Sequence, residues 1–212
     1  MKPDGITYLY FMKIFRIILI GIMMFPIVCP AQNFKREAKK EAKSFEKDGW
    51  VTSPGSLPLQ IQFQKAYEMQ AEKDESGYPK YITGEAMSIG ENFDAAKMQA
   101  LELAKLNLAS IIQTELTTLV NNSLANEQLE PEEAESITRT ITENTNIISQ
   151  SLGRVIIMAE CYRTLKNKNK EVLVRIACNA ELAMEAGKKA IRKNLESKGE
   201  ELREKLDELM WL

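Results

Sequence analysis

The chain has no histidine among its 212 residues. That absence removes Ser-His and Cys-His nucleophile pairs, histidine-ligated zinc and acid-base chemistry on an imidazole. Cysteine is scarce as well, with three copies. The two cysteines beyond residue 31, without histidine, leave a tetrahedral metal site incomplete unless subunits share it. There is no glycine-rich phosphate loop, no Walker-type lysine pattern and no nucleophile elbow. Neither sign of charge dominates: 28 basic side chains face 30 acidic ones, a balance that argues against nucleic acid as a partner. Carboxylates do cluster at Glu132, Glu133 and Glu135 and at Glu200 and Glu201, but neither group has a partner that would divide acid from base roles. They read as helix-start and surface charges. An enzyme is disfavoured, and no catalytic residue, cofactor or metal is expected.

What is present begins with a leader. Lys13 and Arg16 precede an apolar run from Ile17 to Val28, which closes on Cys29-Pro30-Ala31 before Gln32. This is the charged, apolar, small-residue order of a secretory signal peptide, expected over residues 1–31. The run is shorter than the ~20 residues of a permanent bilayer helix. Met12, just before Lys13, is an alternative start. Lipidation at Cys29 is disfavoured, because Val28 stands where a lipobox needs a small residue. Removing the leader takes Lys2, Lys13, Arg16 and Asp4 with it, shifting the net charge from −2 to about −4. The remaining length suits one domain with helical extensions.

Residues 32–79 read as an amino-terminal helical extension. Phe34, Ala38, Ala42 and Phe45 recur at three- and four-residue steps among charged neighbours, a narrow amphipathic stripe that needs a partner. Gly49-Trp50 and the turn-rich 53–58 segment lead to a second helix from Leu59 to Glu72. Residues 80–212 read as an α+β domain. It opens with a strand from Lys80 to Ile89, whose Gly84, Ala86 and Ser88 leave room for a helix backbone. That helix follows, capped by Asn92 and carrying Ala96, Ala100 and Ala104 as a ridge against the sheet. Pro131 opens another helix, with a stripe from Ala134 to Leu152 and a stop at Gly153. Strands over 154–165 and 171–179 form a hairpin around Lys166 to Lys170. A charged helix from Ala180 to Leu212 closes the chain, its far end reaching beyond the sheet. The architecture expected is a small antiparallel sheet covered on one face by long helices.

Three groups are candidate sites. Val155, Ile157, Ala159 and Cys161 are expected on one face of the hairpin with Val172, Val174, Ile176 and Cys178. Cys161 and Cys178 would then lie on the same side, joined by a disulfide if the register sets them directly opposite, or left as two buried thiols. Trp50, Leu57, Leu59 and Tyr67 gather aromatic and apolar surface before the first strand. They read either as an interaction surface or as large rings closing the edge of a core. The basic clusters Lys35-Arg36, Lys39-Lys40, Lys188-Lys189 and Arg192-Lys193 are interleaved with glutamates and read as solvated helix faces.

Tyr81-Ile82-Thr83-Gly84-Glu85-Ala86, the Ala96, Ala100, Ala104, Leu108, Ala109, Ile112 ridge, and Cys161-Tyr162-Arg163 followed by Glu171-Val172-Leu173-Val174-Arg175 resemble the LPP-twenty-like family of Gram-negative envelope proteins over roughly residues 80–195. The resemblance implies a small dodecin-like sheet, a place in the periplasm or at the outer-membrane periphery, and no catalysis. The chain departs from that family in its poor lipobox, its amino-terminal helices and the helical insertion around 131–152. The expectation is an exported envelope protein that works through association with envelope proteins or with itself, touching membrane at most peripherally. The alternative is a small-ligand or glycan-binding protein with Trp50 and tyrosines lining a cleft.

Overall fold

The computed structural model describes residues 30–126 and 128–195, together with Glu204 and Asp207. The expected leader lies outside the described residues up to and including Cys29, and its last two residues, Pro30 and Ala31, fall within a described helix. The chain divides into two compact units, Met1–Asn33 and Phe34–Leu212, and the sheet belongs to the second. The elements of the described chain run α1 (Pro30–Lys47), β1 (Val51–Thr52), α2 (Leu59–Ala71), β2 (Tyr81–Gly90), α3 (Phe93–Ala125), α4 (Pro131–Glu143), α5 (Thr145–Ser151), β3 (Ile156–Thr164), β4 (Lys170–Asn179) and α6 (Ala180–Leu195). The fold is α+β, with an antiparallel sheet in the order β1-β3-β4-β2.

Small side chains decide how α3 meets the sheet. Asn92 caps the helix, its Oδ1 accepting from the Ala95 N–H at 2.9 Å. Ala96, Ala100 and Ala104 are fully buried, followed by Leu108, Ile112, Leu116 and Val120 as the helix runs on. Gly84 of β2 lies so close beneath that a Cβ there would come within 2.5 Å of the Ala104 carbonyl oxygen. The strand needs glycine there for close approach, not for conformational freedom. Val172, Val174, Ile176 and Cys178 of β4 complete this first core, which α4, α5 and α6 cover through Ile137, Ile141, Ile148, Ile191 and Leu195.

The other face of the sheet is covered too, which corrects the expectation of a single helical layer. Ala38 and Ala42 of α1, Trp50, and Leu59 and Phe63 of α2 pack with Ala159, Cys161 and Leu173 in a second core. Met158, Ala177 and Ala66 form a small cluster beside it. The stripe of α1 therefore has its partner, and the segment read as an extension is a structural layer of the domain from Phe34 onward. β1, only two residues long, also joins it to the sheet through Val51↔Tyr162 and Thr52↔Cys161.

A β-bulge explains a further correction. From Thr164↔Lys170 to Cys161↔Leu173 odd residues of β3 and β4 oppose odd and even oppose even, whereas beyond Met158 the pairing becomes Ile157↔Ile176. The extra residue reverses the alternation. Ala159 and Cys161 consequently point into the second core, while Cys178 points into the first. Cys161 pairs with Leu173 and Cys178 with Ile82, and both thiols are free. The candidate disulfide is absent because the cysteines sit on opposite faces.

Two helical expectations also change. The 131–152 stripe is carried by two helices, broken at Asn144, whose Nδ2 donates back to the Thr140 carbonyl at 2.6 Å and so competes with helix continuation. In the closing segment Arg192 pairs with Asp207 at 2.9 Å. A straight helix would hold residues fifteen apart at about 22 Å, so Asp207 does not continue the line of α6 beyond the sheet. Leu202, Leu206, Leu209 and Trp211 lie outside the described residues.

Candidate functional site

The residues singled out as an interaction surface do not share one. Trp50 is 6% exposed, packed on Phe45 with ring centroids 5.4 Å apart and covered by the Arg163 guanidinium at 5.0 Å. Leu59 is buried beside it. Tyr67 is half-buried, its hydroxyl donating to Glu41 Oε2 at 2.8 Å. Only Leu57 is open, at 47% exposure. Burial takes Trp50 out of the aromatic cleft pictured in the ligand-binding alternative, while Tyr78 is 70% exposed.

Behind these residues lies a charged clamp that periodicity does not reveal. Arg175 rises from β4 into the second core, stacks over the Phe63 ring at 4.6 Å and grips both oxygens of Glu41 on α1, at 2.6 and 3.2 Å. Its Nε also donates to Glu85 of β2. Burial alone would lower the pKa of this guanidinium, but the hydrogen bonds and charges of Glu41 and Glu85 overcome that and raise it. Burial first, then the hydrogen bond to Glu41, pushes the Tyr67 phenol up to about 12. Burial likewise pushes the Cys161 thiol up to about 12 and raises that of Cys178. Neither thiol is tuned for nucleophilic attack. The clamp fixes α1 to the sheet through a fork geometry that lysine could not supply. With every member engaged, it has no open coordination for a substrate.

The two edges of the sheet are the most unequal features of the domain. On the outside of β3, β1 supplies a short ladder and polar groups complete the closure. The Glu160 N–H donates to Gln62 Oε1 at 2.7 Å, and Gln62 Nε2 donates to the Leu57 carbonyl at 2.5 Å. The buried Glu160 carboxylate accepts from Ser53 Oγ at 2.5 Å and pairs with Lys97 Nζ at 2.6 Å. Arg163 closes the end, donating to Glu171 at 2.6 Å and to the Asp48 carbonyl at 3.4 Å.

β2 has no such cover. The Lys80 carbonyl accepts from the Ala180 N–H at 2.9 Å, so even-numbered residues of β2 turn their peptide groups toward β4 and odd-numbered ones turn outward. In agreement, the Glu85 carbonyl accepts not from a strand but from Asn107 Nδ2 of α3, at 2.7 Å. The peptide groups of Thr83, Glu85, Met87 and Ile89 therefore line an edge that no strand among the described residues covers. Apolar borders flank it. On one side Met87 and Ile89 are 52% and 50% exposed. On the other, Leu103 and Ile111 are exposed at helical steps either side of Asn107, on the flank of α3 that reaches the edge. Sequence reasoning placed the strand but not its position in the sheet. The available signal was the apolar pair Met87 and Ile89 on the face opposite Gly84, Ala86 and Ser88.

Among the described residues no group of three or more cysteine, aspartate or glutamate side chains is placed to hold a metal ion. No described helix is long and apolar enough to cross a membrane. No protein-family model, curated protein or solved structure matches the chain, so the likeness to the LPP-twenty-like family rests on the residues quoted for it.

Proposed function

We propose that the chain is an exported protein of the cell envelope that works by association rather than by catalysis, with the outer edge of β2 as its contact. One observation carries this reading: an uncovered strand edge bordered by exposed Met87, Ile89, Leu103 and Ile111. Unpaired peptide groups in a row are a template for another strand, and natural proteins usually blunt such edges with lysine, proline or a covering loop. The segment from Met87 to Gly90 carries none of these. A strand laid along it would gain main-chain hydrogen bonds and pockets for alternate side chains. Its source is an envelope protein or a second copy of this chain, with no nucleic acid involved and membrane contact no more than peripheral. The leader and the resemblance to Gram-negative envelope proteins support the compartment.

The test is photo-crosslinking in intact cells from a probe at position 87, combined with sedimentation of the purified chain. Links to an envelope protein or to a second copy, lost in a Met87→Lys, Ile89→Lys double variant, are the expected result. A monomer at micromolar concentration that yields no links and whose Met87 and Ile89 amides exchange freely in cells would overturn the proposal.

A further inference from the structure

A cleft in the helical layer over the first core has a composition unlike the edge. It measures about 590 Å³ and opens between α5 and α6, with Cys178 of β4 in its lining. That volume lies within the ~300–1,000 Å³ typical of small-molecule sites. The two faces of α6 explain it. Ala183, Gly187, Ala190 and Ile191 turn into the core, with Gly187 so tight that a Cβ would come within 2.6 Å of Ile112. Leu182, Ala186, Lys189 and Lys193 recur at steps of three or four along the face that lines the cleft. Ile147 of α5 supplies an apolar wall opposite. Leu182 is 62% exposed, so this apolar surface is open to a visitor.

The charges on the rim are unequal. Arg154, Lys189 and Lys193 line the cleft against one acid, Glu185. None of the three cations forms an ion pair with a described residue. By contrast the more buried cations Arg163, Arg175 and Lys97 are each engaged by a carboxylate. An apolar trough with a surplus of cations that pair with no described residue complements a molecule that is apolar along its length and anionic at one end. We infer that this cleft binds a single-chain fatty acid, its chain along Leu182, Ala186 and Ile147 and its carboxylate among Lys189, Lys193 and Arg154. The inference is independent of the strand edge, which lies on β2.

Titration calorimetry on the purified full chain tests it, with dodecanoate below its micelle concentration, dodecanol as the neutral analogue and phosphatidylglycerol vesicles as the bilayer source. Dodecanoate is expected to bind one to one and dodecanol at least about tenfold more weakly. Lys189→Gln with Lys193→Gln should weaken dodecanoate roughly tenfold, the sum of two partly exposed charge contacts. Leu182→Asp, at an exposed position where folding is insensitive, should abolish binding. Circular dichroism of each variant guards against misfolding. Absence of dodecanoate binding overturns the inference. So does binding that dodecanol matches and the lysine variant leaves unchanged, which would mean apolar adsorption only. Binding to vesicles without binding to dodecanoate would place the anion in a bilayer and likewise overturn it.

Discussion

The outer edges of β3 and β2 belong to one sheet yet are finished in opposite ways. At β3, a two-residue strand and a glutamine engage the peptide groups, and the Glu160–Lys97 ion pair packs alongside. At β2, one asparagine caps one carbonyl and apolar side chains stand exposed on both sides. Closing an edge requires side chains held in place from elsewhere in the chain, as Ser53, Gln62 and Lys97 are. Their presence at one edge shows that this fold can supply closure, so the bare edge is a feature in its own right.

The comparison breaks most severely if β2 loses its seat. Gly84→Val would drive a side chain into the Ala104 carbonyl and is expected to cost about 3 kcal/mol, the upper end of overpacking penalties, read as a lowered denaturant midpoint. Next is the closed edge. Gln62→Ala strands the buried Glu160 N–H and should cost about 2 kcal/mol; it should also speed exchange of that amide, making the two edges more alike.

Alkaline titration probes the layer behind the closed edge. Tyr67 and Cys161 have folded pKa values raised from 10.0 and 9.0 to about 12. A raised acid binds its proton more tightly in the folded state, so this stability is intact below pH 9 and lost as pH rises toward 12. Tyr67→Phe and Cys161→Ala should each flatten the fall in denaturant midpoint over that window. The smallest effect on stability is expected at the open edge. Met87→Lys with Ile89→Lys should change unfolding free energy by no more than about 0.5 kcal/mol, while shifting the sedimenting mass toward a monomer. A large loss of stability there would mean that the edge is part of the core after all.

The first core was legible in sequence to a degree that the second was not. Gly84 and the alanines of α3 announce a close strand-helix contact, because small residues at period two and period four have few other uses. Asn92 and Pro131 mark their helix starts by chemistry that acts within one turn. The second layer depends on partners far apart in the chain, such as Glu41 with Arg175 and Gln62 with Glu160, and no local pattern encodes such pairs. Met158 concealed the bulge for a related reason: an inserted residue leaves the apolar content of β3 unchanged while reversing which face each later side chain enters. The candidate surface at Trp50, Leu57, Leu59 and Tyr67 failed on the same point, since covering α1 was not foreseen.

The placement of the two described thiols has one more consequence. Cys161 and Cys178 are divided by the thickness of the sheet itself, so no native fluctuation short of pulling the hairpin apart would let them touch. An oxidant acting on the finished molecule has no partner to offer either of them from the other. A covalent bridge between these two would thus be a fossil of a chain that never matured, and its appearance on a non-reducing gel would report the fraction of material lost during biogenesis.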